Sequence, residues 1–521
     1  LDAVEIFWGN AVECLNEMLA RNVRNIGDRV FIHTDDESVT YAEFDRRACR
    51  FANVLASLGA GKGAPVGLYL HSRLVMAIGY WACQKLGALP VMMSAMYRET
   101  ELRNALGRTE MAIIVVHDDI LGHVTRIRGD FPALETILVA GDNPGDLPSL
   151  DRLAAAAADS FSDVQCIGSD IASMFFTSGT TGLPKGALQS QFAQYSAVRD
   201  MMAYHHSRFG AEVYYCMAPL FGNLGTAVIM NLCMFSGGTM VLHERWDTRR
   251  VLDSIKRHRV TLLLGTPTMF VYLLNEHDPA RDDFSSVRLS TQGGAPVSPV
   301  VSQRFEAMSG APLLQAYGST ETLGQNVLEP LFGLRKPGSA GPAIGSSRVE
   351  IIDDQGHAAP PNQIGEVVIS GDCVGQGYWR DPEASAKTFT PRGWLSGDLG
   401  YLDEDGYLFI VDRKKEVIIS GGHNIYPLEI ENLLYRHPAV GVCAALGVPD
   451  EVRGEIPVAV VTRKAGAAVS GEELIAFCRD NISVYKAPRR IYFVDEMPVG
   501  AGKIRKRELL GWINDGTLVP G

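Results

Sequence analysis

The stretch Ile171-Ala172-Ser173-Met174-Phe175-Phe176-Thr177-Ser178-Gly179-Thr180-Thr181-Gly182-Leu183-Pro184-Lys185-Gly186 decides how the chain is read. Its apolar start, Ile171 to Phe176, has the length of a buried strand and delivers the chain into a loop of glycines, hydroxyl residues and one lysine. Glycines let backbone amides approach a ligand closely, hydroxyls donate hydrogen bonds, and lysine neutralises charge, so the loop suits phosphate. A flexible surface linker needs neither the buried strand nor the Pro184-Lys185-Gly186 ending. No Gly-Lys-Ser/Thr closes the loop, so it is not a Walker A motif. Gly59-Ala60-Gly61 follows a helical pattern and reads as a helix stop, not a dinucleotide fingerprint.

Around this loop, strand and helix patterns alternate. Thr40 and Glu43 form a capping-box pattern, and the helix behind them puts Phe44, Ala48, Phe51 and Leu55 on one stripe before Gly59. Apolar strands are expected at Pro65–Leu70, Met111–Val116, Tyr214–Ala218, Met240–His243, Thr261–Leu264 and Val287–Ser290, with a helix over Leu74–Leu86 closed by Gly87. Continuous apolar strands between amphipathic helices indicate parallel sheets covered on both faces, hence an α/β fold. From about residue 340 the strands shorten and are punctuated by Asp353-Asp354-Gln355-Gly356 and Asp403-Glu404-Asp405-Gly406, which predicts a β-rich subdomain of antiparallel hairpins over about 340–411. After Asp412-Arg413-Lys414-Lys415 a small α+β unit begins, and a second capping box, Ser470 with Glu473, opens one of its helices. The expected division is 1–411 and 412–521, with the charged run as hinge or as a solvated turn.

The 521 residues carry 48 Lys+Arg against 60 Asp+Glu, a formal charge of −12, with 46% hydrophobic and 21% charged residues. An acidic surface repels nucleic-acid backbone and anionic lipid, so no nucleic acid is expected among the partners. The most apolar long stretch, Thr226 to Leu242, is interrupted by Asn231, Ser236 and Gly237-Gly238 and falls short of the about 20 residues of a membrane span. The first residues show neither a basic nor an apolar leader region. The nine cysteines are scattered without a C-x-x-C pair, which argues against disulfides or zinc. A cytoplasmic location is the expectation.

The glycine-rich loop resembles the signature of the adenylate-forming superfamily of acyl-CoA synthetases, peptide-synthetase adenylation domains and beetle luciferases. Further segments agree in order and spacing: Gly293-Gly294-Ala295-Pro296, Tyr317-Gly318-Ser319-Thr320-Glu321, Ser396-Gly397-Asp398, Asp412-Arg413-Lys414-Lys415 and Gly502-Lys503. The resemblance runs from about residue 20 to residue 508. It implies a large N-terminal adenylation core of stacked α/β sheets with a mobile C-terminal domain, and an ATP-dependent ligase that joins a carboxylic acid to the thiol of CoA through an acyl-adenylate.

The resemblance also implies roles. Thr177, Ser178, Gly179, Thr180, Thr181 and Gly182 would cradle phosphate, with Lys185 on the pyrophosphate side. Glu321 would ligate Mg²⁺, which one carboxylate plus phosphate oxygens suits. Gly294, Ala295, Pro296 and Tyr317 would form the adenine slot beside Gly318, Ser319 and Thr320. Asp398 would accept the ribose hydroxyls, and Arg413 would contact ribose or phosphate. Lys503 would cross from the small domain to the α-phosphate. Rotation about Lys415 would then withdraw Lys503 and open a pantetheine path past Gly421 and Gly422.

One departure stands out. Many relatives have histidine after the aromatic residue in the segment matching Ala218-Pro219-Leu220-Phe221-Gly222, where this chain has Gly222 followed by Asn223. The acyl pocket is expected from Phe221, Gly222, Asn223, Leu224, Gly293 and Leu323 and their neighbours. Apart from Glu321, already assigned to the metal, these offer no charge, which favours an aliphatic or aromatic acid over an amino acid. The alternatives are transfer to a carrier-protein phosphopantetheine in trans, since the stretch after Lys503 is too short for a carrier domain, and a catalytically silent nucleotide-binding protein.

Overall fold

The computed structural model describes residues 14–177, 184–295, 299–464, 466–500 and 503–521. Two large sheets organise the first 330 or so residues. One has six strands in the order Thr136–Ala140, Ile113–His117, Pro65–Leu70, Leu89–Ser94, Ile171–Thr177 and Lys185–Ser190. The other has eight and carries Val213–Cys216, Leu262–Gly265, Leu289–Gln292 and Leu313–Tyr317 as parallel neighbours or near neighbours at its centre. Side chains of both sheets share one apolar core with the helices Tyr41–Ser57, Leu74–Leu86 and Gln191–Tyr204. Helix Leu74–Leu86 is buried at eleven of its 13 positions, as a helix covered on every side must be.

The expected α/β alternation is present, with instructive shifts. The strand expected over Val287–Ser290 runs Leu289–Gln292 instead, because Val287 closes a turn onto the Phe284 carbonyl and the Arg288 side chain is drawn to Glu212, 3.0 Å away. Lys185 is not a loop residue. It opens the strand Lys185–Ser190, which pairs antiparallel with Ile171–Thr177 in the register Thr177↔Lys185. The Thr40 cap is half made. Its hydroxyl accepts from Glu43 N at 3.2 Å, but the Glu43 carboxylate turns to Arg46 and Arg47, two cations against one amide.

The β-rich region is an antiparallel sheet of Arg348–Ile352, Gly365–Ser370, Phe389–Thr390, Gly393–Leu402 and Leu408–Arg413. Its last two strands set Asp398 directly opposite Arg413. Ser396-Gly397-Asp398 therefore lies within a strand and not in a turn. A separate sheet of Ile418–Ser420, His423–Ile425, Val440–Asp450, Gly454–Arg463 and Ile491–Phe493 begins beyond it, backed by helices Pro427–Leu434 and Gly471–Asn481. The capping box at Ser470 is complete in both directions. Among the described residues no helix is long and apolar enough to cross a membrane.

Candidate active site

The site forms where strand ends of the eight-stranded sheet meet the hairpin and the β-rich sheet. Strand Leu313–Tyr317 delivers Tyr317, whose hydroxyl donates to Asp398 Oδ2 at 2.8 Å. Arg413 Nε donates to Asp398 Oδ1 at 2.9 Å, the cross-strand register having already placed the two residues face to face. Each carboxylate oxygen keeps a further lone pair for a ligand. Burial, followed by the Asp398 charge, drives the Tyr317 phenol well above its ordinary range, so it stays a donor.

After Tyr317 the chain turns sharply. A Cβ on Gly318 would sit 1.6 Å from the Gly324 carbonyl oxygen, so only glycine fits. The short 3₁₀ turn Thr320–Thr322 follows, and it presents Glu321. The buried Glu321 carboxylate accepts from Ser319 Oγ at 2.5 Å and from Tyr378 OH at 2.8 Å. The Tyr378 ring also carries Lys185 Nζ 5.0 Å from its centre, a cation–π arrangement. Tyr378 thus couples the hairpin lysine to the acidic turn. Among the described residues no cluster of three or more metal-ligating side chains is found, so a divalent ion at Glu321 would take its remaining ligands from phosphate and water.

Lys503 reaches the same place from the small domain. A Cβ on Gly294, itself at φ +82°, would lie 3.0 Å from Lys503 Cε and 3.4 Å from its Nζ. Although Lys503 keeps exposed surface, crowding by protein lowers its ammonium pKa, helped by Arg413 and opposed by Asp398, Glu321 and Glu416. Lys415 sits in the turn after Arg413, where Lys414 N donates to Gly397 O and Glu416 N to Arg413 O, each at 2.9 Å. Desolvation and then Arg413 lower its pKa also.

Phe221, Gly222, Asn223 and Leu224 are half-buried at the start of the π-helical stretch Leu224–Met230. Leu323 is buried at φ +65°, and Gly293 N donates to Gly265 O. Thr177 ends its strand and Ala295 lies in the bend after Gly294. Ser178, Gly179, Thr180, Thr181, Gly182 and Pro296 lie outside the described residues. Gly421 and Gly422 form the turn of the Ile418–Ile425 hairpin, Gly421 N donating to Arg453 O, and no hydrogen bond joins them to the large domain among the described residues. Sequence reasoning missed Tyr378 and Gln189, whereas Gln325 ends the Gly318–Gln325 stretch expected at the acyl site. Gln189 Nε2 donates to Asn223 Oδ1 and to Thr320 O, both at 2.8 Å, and Gln325 spans from His205 to Thr291 at 2.8 and 2.9 Å.

Comparison with known proteins gives the same picture. The AMP-binding enzyme family matches residues 19–379, and the AMP-binding enzyme C-terminal domain matches residues 429–501. A feruloyl-CoA synthase of Amycolatopsis sp is 34% identical over 484 residues, covering 91% of this chain and 93% of that protein. A long-chain-fatty-acid–CoA ligase of Bacillus subtilis is 30% identical, covering 95% and 94%. The crystal structure of an anthranilate CoA ligase with anthranoyl-AMP superposes with a TM-score of 0.91 at 26% identity, covering 97% of this chain and 98% of the other.

Proposed function

From the premise that this chain belongs to the AMP-binding enzyme family and is an AMP-forming acid–thiol ligase, we propose that it activates a compact, ring-bearing carboxylic acid and passes it to CoA. The observation that carries the site assignment is the convergence of Lys503, from the small domain, with Gly294, and its electrostatic coupling to Asp398 and Glu321.

A carboxylate is a poor electrophile, so its oxygen first has to become a leaving group. In the first half-reaction a carboxylate oxygen attacks the α-phosphorus of ATP, the bond to the bridging oxygen breaks, and pyrophosphate departs with the electron pair. Two anions approach each other, so cationic donors must face them. Lys185 faces the pyrophosphate and Lys503 the α-phosphate. Asp398, steadied by Tyr317 and Arg413, accepts the ribose hydroxyls. Mg²⁺, held by Glu321 and by phosphate oxygens, supplies charge neutralisation when bound. In the second half-reaction the CoA sulfur attacks the acyl carbon, the C–O bond to phosphate breaks, AMP leaves and the thiol proton is released. CoA has to reach a carbon that Lys503 covers, which requires the small domain to turn at Lys415.

The preference for a compact acid is supported by the Thr291–Gln325–His205 crossbar. Gln325 is half-buried with both amide ends engaged, a fixed polar group in the Gly318–Gln325 stretch expected at the acyl site, which favours a compact acid over a long alkyl chain. The names of the feruloyl-CoA synthase and the anthranilate CoA ligase point the same way, and that of the long-chain-fatty-acid–CoA ligase points the other. Pyrophosphate release from ATP and Mg²⁺, measured over cinnamic, benzoic and fatty acids with and without CoA, tests the reading. Turnover with ring acids that depends on CoA supports it. Preference for long-chain acids, or an adenylate discharged only by a carrier-protein pantetheine, contradicts it.

A further inference from the structure

Behind Asn223 lies a chain of buried amides and hydroxyls. Ser173, Gln189 and Asn231 are fully buried, as is Tyr80, and Gln194 is 1% exposed. Asn231 Nδ2 donates to Gln194 Oε1 at 2.7 Å, and Tyr80 OH donates to the same oxygen at 2.9 Å. Gln194 Nε2 donates to Gln189 Oε1 at 2.9 Å, and Ser173 Oγ also donates to that oxygen. Gln189 Nε2 ends the chain at Thr320 O and Asn223 Oδ1.

The polarity of this chain is forced. The Thr320 carbonyl can only accept, so the Gln189 atom beside it must be the NH₂ group. The same NH₂ contacts Asn223, so the Asn223 atom facing it must be the oxygen. Asn223 Nδ2 therefore points away from Gln189. It has no hydrogen-bond partner among the described residues, in a side chain that is half-buried at the cleft. A Cβ on Gly324, just past the Glu321 turn, would lie 3.8 Å from it. An N–H donor is thus held, unpaired, between the acyl pocket and the acidic turn.

We propose that Asn223 Nδ2 donates a hydrogen bond to the carboxyl oxygen of the acid and of its adenylate, and that Gln189 acts as the positioning residue that fixes its orientation. The inference rests on the ligase reading above and deepens it. This chain has Gly222 at the position where relatives often place a titratable histidine, and the neutral donor of the next residue, Asn223, has its direction set from the core, so its recognition of the carboxyl group does not depend on a titrating imidazole. The buried chain also explains why an amide suffices. A lone Asn could present either end, whereas Gln189 permits only one.

Calorimetric binding of 5′-O-(N-benzoylsulfamoyl)adenosine, a stable mimic of an acyl-adenylate, against AMP tests this without turnover. The ratio of the two affinities isolates the acyl end. Asn223→Leu is expected to weaken the mimic about tenfold with AMP binding unchanged, and Gln189→Leu to do nearly the same. The double variant should lose no more than Asn223→Leu alone, because both remove one interaction. Asn223→Asp should bind the mimic better as pH falls, when its carboxyl becomes a donor, while the parent shows no such trend. An unchanged affinity ratio in Asn223→Leu and Asn223→Asp overturns the proposal. A parent that binds the mimic no better than AMP overturns the reading of a compact ring-bearing acid, so the two failures are distinguishable.

Discussion

Lys503 of the small domain lies against Gly294 of the large one, so closely that a single added carbon at Gly294 would stand 3.0 Å from the lysine Cε. On the proposed mechanism this contact belongs to the arrangement of the first half-reaction. Gly294→Ala would strain a backbone at φ +82° and displace the ammonium together. Adenylate formation is expected to fall by about 10- to 100-fold, with less change in thioester formation from supplied adenylate. Equal loss in both half-reactions would mean general damage to the cleft.

The lowered pKa of Lys503 gives a pH signature. In the proposed role the ammonium form faces phosphate, so kcat/KM for ATP should decline as pH rises through a value below that of an ordinary lysine. Lys503→Arg keeps its charge at all such pH values, so its alkaline limb should move to higher pH even though its maximum rate is reduced. An unmoved limb assigns the titration to another group.

At the hinge, the Lys415 amide makes no hydrogen bond among the described residues, so proline at this position removes none. Proline restricts φ and should hinder rotation of the turn between Arg413 and Glu416. Lys415→Pro is expected to keep adenylation within about threefold and to slow thioester formation by about 100-fold or more. Rapid-quench assays of the two steps decide it, and parallel losses would refute a hinge at Lys415.

Asp412 predicts how stability depends on pH. Its buried carboxyl is pushed up to about 6 by desolvation, against Lys506 and the amides of Leu428 and Arg413. An acid whose folded pKa exceeds its unfolded one gives stability that is fully present below the unfolded value and lost as pH rises through about 6. Asp412→Asn removes that loss. The difference in Tm between variant and parent should therefore shift in the variant's favour from pH 5 to pH 8, and a constant difference would contradict it.

The chemistry was most legible where the residues are neighbours in sequence. Tyr317 to Glu321 and Asp412-Arg413 can be read as units, because each sits on one strand end or one turn. Their partners could not be read, since Tyr378 is 57 positions from Glu321 and Gln189 is 131 from Thr320. Only tertiary packing brings these together, since Tyr378 meets the strand of Gln189 by an isolated bridge at Ala187 and Thr320 lies in a turn outside that sheet. The glycines and hydroxyls before Lys185 carry no strand periodicity, so the sequence reads Lys185 as part of the loop, and only the register Thr177↔Lys185 reveals the second strand. Gly222 was noticed as a missing histidine, yet the answer to it lay in Gln189, an ordinary strand residue with no motif around it.

Lys503 is expected to serve the first half-reaction and not the second. The direct measurement is a pair of single-turnover assays on Lys503→Ala, one following acid-dependent pyrophosphate release and the other acyl-CoA formation from supplied acyl-adenylate and CoA. Adenylation is expected to fall by about 1,000-fold while thioester formation stays within about threefold of the parent. Adenylation that survives, or thioester formation that falls with it, would contradict the account.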